Sequence, residues 1–336
     1  MRKPDFDNLL AVMNREKPSR PTLFEFFLNE PLYEKLTGIK LDASSSDLDR
    51  KRRTMLAYEK AGYDYVTLLT GFRFDMPQKD QLDTKSLNDS PVIYDRSSFE
   101  AYDWKSPEDF DYSVIDLLGK ELPGGMKFIG YGPCGVMENL VAMVGFDNLC
   151  FMLADDPELV CDITDAIGSR LVAHYKILGQ FDSVGAMISN DDCGFKTQPM
   201  ISPDDMRRYI IPWHREIVRT IHEAGRPAIL HSCGDLSELM DDIIDDIGFE
   251  AKHSFEDCIE RVEDAYERWG DRIAILGGID VDFICRQSPE AVRKRSLEML
   301  ERAEERGGYA LGSGNSIPEY VPDEGYLAMI SAALER

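Results

Sequence analysis

Basic side chains are scarce in this sequence. Its 336 residues include 38 Lys and Arg against 62 Asp and Glu, a formal net charge of −24. A surface so acidic repels nucleic-acid phosphate and anionic lipid, which excludes both as natural partners. A polyanionic small molecule would need a local cluster of Arg and Lys. Long apolar runs are missing too: no window approaches the roughly eighteen uninterrupted apolar residues of a membrane span. Met1 to Asp7 is charged and lacks the apolar stretch of a secretion signal. The 7 cysteines are scattered and odd in number, which argues for reduced thiols in the cytoplasm, not a disulfide framework. Low-complexity tracts, short repeats and Pro/Gly/Ser-rich linkers are absent, so nothing marks a domain boundary. There is no G-x-S-x-G elbow, no P-loop and no H-E-x-x-H helix.

What recurs is an alternation of short apolar runs with longer helix-like stretches. After a leading helix (Asp5 to Arg15), the runs are Pro21–Leu28, Asp64–Leu69, Lys127–Tyr131, Val184–Ser189, Ala228–His231, Phe249–His253, Arg272–Leu276 and Tyr309–Leu311. Strong helix starts lie between several of them: Ser106-Pro107, Asp156-Pro157, Ser202-Pro203 and Ser288-Pro289, each followed by acid. A hydroxyl or carboxylate at the N-cap, proline at N1 and acid in the first turn satisfy orphan N–H groups and complement the helix dipole. The helix opened by Ser202 is expected to run to Ala224. Eight strand-like runs separated by helices imply parallel strands, since each parallel return needs a crossover. The simplest closure is an α/β (β/α)8 TIM barrel spanning residues 1–336 as a single domain. A long insertion, Gly71–Gly125, lies between the second and third strands as an ordered excursion rich in aromatics. A doubly wound open sheet is the alternative, but no G-x-G-x-x-G follows the first run.

Active sites of such barrels lie at the carboxyl ends of the strands. Those ends read Thr70 to Arg73, Gly132 to Gly135, Asn190 to Cys193, His231 to Asp235, His253 to Glu256, Gly277 to Asp280 and Gly312 to Asn315. His231 and Cys233, two apart on an extended backbone, point to one side. Imidazole and thiol are the ligands zinc favours, and Glu256 on the next strand makes a third, leaving an open, catalytic position. Alone, an H-x-C is more often a core histidine beside a filler cysteine, and His231 could equally act as an acid/base without metal. Asp191 and Asp280 are candidates for orienting substrate or handling a proton, although Asp191-Asp192 also reads as a solvated turn and Asp280 as an N-cap. Arg73, Tyr131, Asp192 and Asn315 are candidate substrate contacts. Paired carboxylates such as Asp191 and Asp280 leave glycosidase chemistry open.

The stretch from Ile201 to Glu256 resembles the uroporphyrinogen decarboxylase superfamily, and most closely its corrinoid-dependent methyltransferase branch. Arg20-Pro21, Gly130 to Pro133, Met137 to Asn139, Gly277 to Asp280 and Gly312 to Pro318 with Val321-Pro322 extend the likeness over nearly the whole chain. The decarboxylases grip their tetrapyrrole with an arginine-rich segment after the first Arg-Pro. Here that place reads Thr22 to Glu30, apolar and acidic, and no acid stands in Thr67–Thr70 where they keep a catalytic aspartate. The methyltransferase branch is similar in its H-x-C zinc ligands, matched by His231 and Cys233, but its later cysteine falls at or beside Asn315. The resemblance therefore implies zinc held by three ligands and a methyl group moved between a small methylated donor or acceptor and a separate corrinoid protein. It makes a homodimer possible. A tetrapyrrole decarboxylase and a non-catalytic corrinoid or small-molecule binding barrel are the alternatives.

Overall fold

The structure, a computed structural model, describes residues 2–76, 86–88 and 91–336. Seven parallel strands hydrogen-bond in sequence order: β1 (Tyr65–Leu69), β2 (Lys127–Tyr131), β3 (Val184–Asn190), β4 (Ala228–His231), β5 (Ala251–His253), β6 (Ala274–Leu276) and β7 (Tyr309–Ala310). Every residue of β3, β4, β5 and β6 is buried, as expected of parallel strands, whose two faces are both covered. Two of the crossovers start where the sequence predicts, whereas Ser106-Pro107 opens only the three-residue 3-10 turn Pro107–Asp109. Asp156 caps Pro157–Leu178 by accepting the Leu159 amide at 3.0 Å, and Ser288 caps Pro289–Arg302 by accepting that of Ala291.

The first predicted strand, Pro21–Leu28, is reduced to an isolated parallel bridge between Leu23 and Leu311. Phe24 donates to the Leu311 carbonyl and Leu311 to that of Thr22, both at 2.8 Å. On the side facing β1 no strand pairing forms among the described residues. Hydroxyls occupy those carbonyls: Tyr65 donates to Glu25 at 2.6 Å, and Thr67 and Tyr58 donate to Phe26 at 2.8 and 3.0 Å. The sheet thus holds seven strands and a bridge where eight strands are predicted, because side chains replace the backbone ladder at the first of them.

The Ser202–Ala224 helix also differs from expectation. It begins as Pro203–Asp205, widens into π geometry over Met206–Ile210, and is α-helical over Ile211–Glu223. Pro212 has no N–H to return to the preceding turn, and a widened turn accommodates that missing bond. Of the predicted insertion, residues 77–85 and 89–90 lie outside the described set. The rest contains helices Arg96–Ala101 and Ser113–Gly119 and an aromatic group around Trp104. Arg170 on the long crossover helix fastens that group, stacking 5.0 Å over Trp104 and donating to its carbonyl at 2.8 Å.

Candidate metal centre

The site begins in strand register. Asn190 at the end of β3 pairs with His231 at the end of β4, so the chain leaves both strands at the same level. The Asp191 amide then donates to the His231 carbonyl at 2.9 Å, and that of Cys193 to the Ser232 hydroxyl at 3.1 Å. The Cys233 amide donates to Asp192 Oδ1 at 2.8 Å. Two glycines permit this closeness. Gly234 has φ +88°, and a Cβ there would overlap the Gly194 carbonyl, so the two loops pack backbone against backbone. The result is that ligand atoms of Asp192, His231 and Cys233 lie within 4.8 Å of one another.

The Cys233 sulfur is surrounded by hydrogen-bond donors. Asn315 Nδ2 lies 3.2 Å from it and Ser254 Oγ 3.4 Å, while His231 Nε2 stands at 4.0 Å. Ser254 sits at φ +83°, a left-handed conformation that costs a serine about 1–3 kcal/mol and is characteristic of functional sites. Lys252 helps to hold it there, its buried ammonium donating to the Ser254 carbonyl at 2.7 Å. Burial, seconded by Asp192, pushes the Cys233 thiol up to about 12 when no metal is bound. Burial lowers His231 to about 4 and Lys252 to about 8. Behind the site, His231 and His253 approach with their Nδ1 atoms 2.7 Å apart.

Four predicted site residues, Asp192, His231, Cys233 and Asn315, are brought together around the sulfur; Glu256 and Asp280 line a cavity that Asn315 also borders, and the rest lie elsewhere. Glu256 is outside the three-residue group and accepts from the Cys258 thiol at 3.7 Å. Asp191 is fully buried, and its carboxyl caps the helix Val136–Val144 by accepting the Met137 and Glu138 amides at 2.9 and 2.8 Å. His214 Nε2 lies 2.9 Å from Asp191 Oδ2, the oxygen that also accepts the Met137 amide. Asp280 caps the helix Val281–Arg286 through the Phe283 amide and also accepts that of Asp257 at 2.8 Å. Tyr131 packs edge-on against Phe26, and Arg73 is exposed. Sequence reasoning missed His253, His214 and Glu138. His253 was discoverable: it ends the apolar run after His231, and adjacent parallel strands bring such ends together. Glu138 is raised to about 8, by burial first and then by Asp191 and Asp192, a proximity that only the folded loops create.

A family model described as uroporphyrinogen decarboxylase (URO-D) matches residues 70–336. The chain belongs to that family. Its relatives include a methylated-thiol–coenzyme M methyltransferase of Methanosarcina mazei, 27% identical over 214 residues, 61% of this chain and 53% of that protein. The match thus spans about half of that relative's length. A uroporphyrinogen decarboxylase of Syntrophotalea carbinolica is 21% identical over 242 residues, 70% of this chain and 68% of its own length. Among solved structures, a methyltransferase from Methanosarcina mazei superposes with a TM-score of 0.73 at 16% identity, covering 98% of this chain and 97% of its own, a likeness of fold.

In this member of the family a cavity of about 980 Å³ opens at Asn315, lined also by Glu256, Asp280, Phe255 and Tyr320 among others. Asn315 therefore touches both Cys233 and the open space. A smaller cavity of about 190 Å³ lies against Lys252, Ser254 and Trp269. Among the described residues no single helix is long and apolar enough to cross a membrane.

Proposed function

We propose that the chain is a zinc-dependent methyltransferase that moves a methyl group between a small O- or N-methylated compound and a corrinoid protein. The observation that carries this reading is the meeting of Asp192, His231 and Cys233 within 4.8 Å. A carboxylate oxygen, an imidazole nitrogen and a thiolate form a donor set that zinc accepts, and three protein ligands leave the open position of a catalytic site. The residues fit that role individually. Asp192 engages Oδ1 with the Cys233 amide and keeps Oδ2, while His231 bonds its neighbour through Nδ1 and keeps Nε2. In this assignment Asp192 replaces Glu256 as the oxygen ligand. Bound there, zinc would supply Lewis acidity toward the heteroatom bearing the methyl group.

The chain's own residues do the remaining work. Asn315 and Ser254 orient the sulfur and spread its charge into two hydrogen bonds. Asn315 also borders the large cavity, and so joins the ligand site to the space for a methylated compound. Asp191 and Asp280 are positioning residues that fasten helix starts to the loops of the site. Glu256, Asp257, Asp280 and Asp282 line the same cavity against Lys196 and Arg286, a balance that disfavours a polycarboxylated tetrapyrrole.

Elemental analysis is the test. The purified chain should hold about one zinc, lost in Cys233→Ala and Asp192→Ala and retained in Glu256→Gln. Methyl transfer is then assayed with methylated amines and ethers and a corrinoid protein as acceptor. Metal-free protein that transfers methyl groups at the full rate would overturn the proposal, as would conversion of uroporphyrinogen to a less carboxylated product.

A further inference from the structure

We infer that the large cavity at Asn315 takes a methylated zwitterion, a small compound with its N-methyl group on an ammonium and a carboxylate close by. Glu256 receives the ammonium and Lys196 the carboxylate. That such a compound donates its methyl group rests on the reading above; that the cavity binds it does not.

Most charges in the cavity wall already have partners. Asp257 is held by two nitrogens of Arg295 at 2.6 and 2.8 Å. Asp280 accepts the Asp257 and Phe283 amides at 2.8 and 2.9 Å. Asp282 and Arg286 pair with each other at 2.6 Å. Glu256 and Lys196 remain. The Glu256 carboxylate accepts from the Cys258 thiol, a weak donor, at 3.7 Å and has no ion pair among the described residues. Lys196 makes no hydrogen bond or ion pair among them and is exposed. One uncommitted charge of each sign in one cavity complements a ligand that carries one of each, and disfavours a ligand with either charge alone.

The backbone sets which end of the ligand reaches the sulfur side. Phe255 donates to the Gly314 carbonyl at 2.9 Å, which fastens the next residue, Glu256, beside Asn315. Lys196 belongs to a different loop, in a tight turn closed by the Phe195 amide on the Gln198 carbonyl at 2.8 Å. The methylated ammonium therefore lies on the Asn315 side and the carboxylate points away from it. Tyr320 supplies a further contact, for it borders the cavity and is 73% exposed. An open aromatic ring near a carboxylate suits a methylated ammonium, whose charge is attracted to the ring face. Glu256 also borders the smaller cavity, but the cations there are engaged: Lys252 by the Ser254 carbonyl at 2.7 Å, and Arg268 by the Trp269 ring at 4.4 Å.

Three probes of similar shape separate the charges. N,N-dimethylglycine carries both, trimethylammonium only the positive one, and 3-methylbutanoate only the negative one. Titrated against the full chain at neutral pH by calorimetry or NMR, N,N-dimethylglycine should bind about 5- to 10-fold more tightly than either of the others. Lys196→Met should abolish its advantage over trimethylammonium, and Glu256→Gln its advantage over 3-methylbutanoate, each leaving the other advantage in place. Retained zinc in Glu256→Gln shows that the loss is one of recognition and not of folding. Equal binding of the three probes, no binding of N,N-dimethylglycine, or selectivity unchanged in both variants overturns the inference. Selective binding by a chain that holds no zinc defeats the metal reading and supports this site; zinc binding without selectivity does the reverse.

Discussion

Asn315 puts a neutral amide 3.2 Å from the Cys233 sulfur, at or beside the place where the methyltransferase branch is expected to have a cysteine. A ligand set with one thiolate leaves zinc less electron-rich than one with two, and so a stronger Lewis acid. Asn315→Cys should therefore bind zinc at least about tenfold more tightly in chelator competition and transfer methyl groups more slowly. Faster transfer with unchanged affinity would contradict this account. A second residue, Glu25, affects stability. Its carboxyl is fully buried and raised to about 8, chiefly by burial, although the Ser313 amide and hydroxyl donate to it at 2.6 and 2.8 Å. A carboxyl whose pKa is higher folded than unfolded binds the extra proton in the folded state. Its stabilisation is complete below its unfolded pKa and is lost as pH rises to about 8. Urea midpoints should fall between pH 5 and 8 by an amount equivalent to at most about 1.4 kcal/mol per pH unit from this group. Glu25→Gln should flatten that part of the slope, and an unchanged slope would remove Glu25 as its source.

At the scale of elements, the site depends on two loops packing without side chains between them. Gly234→Ala should cost about 1–3 kcal/mol by urea denaturation, because the new Cβ meets the Gly194 backbone at a left-handed φ. It should also separate Asp192 from Cys233 and weaken zinc binding. Gly248→Ala is the control: φ is +85° but nothing lies within 4 Å, so it should cost about 1 kcal/mol of strain and leave zinc affinity intact. The strands themselves were largely legible. β2 and β4 coincide with predicted runs, and the remaining five lie within theirs or overrun them by one residue, since a buried parallel strand is an apolar run between turn signals. The H-x-C pair was legible as two ligand types at one strand end, although β4 stops at His231 and Cys233 lies in the loop beyond the strand period. Asp192 and Glu256 were not distinguishable as third ligands, because loop conformation beyond a strand end follows no period. What separates them is the Gly194–Gly234 contact, which joins residues 40 positions apart and leaves no mark in either local segment.

At the scale of the molecule, the N-terminal segment links the ends of the sheet to its centre. Leu23 bridges to Leu311 next to β7, Glu25 and Phe26 receive hydroxyls from β1, and Phe24 and Phe26 lie against His253 and His231. This segment was predicted as an ordinary first strand. Its hydroxyl contacts escaped prediction because Tyr58, Tyr65 and Thr67 read simply as core or strand residues. The arrangement couples global packing to the site. Phe24 is fully buried and stacks on Tyr65 with centroids 5.4 Å apart. Phe24→Ala should cost about 3–5 kcal/mol. Phe128 on β2 is also buried, and Phe128→Ala should cost a similar amount. Both variants should show lower urea midpoints, but only Phe24→Ala removes a ring that fixes His253. Under native conditions, then, only Phe24→Ala should also weaken zinc binding in chelator competition, by several-fold. If the two variants lost stability alike and kept wild-type zinc affinity, the N-terminal segment would stabilise the sheet without organising the site.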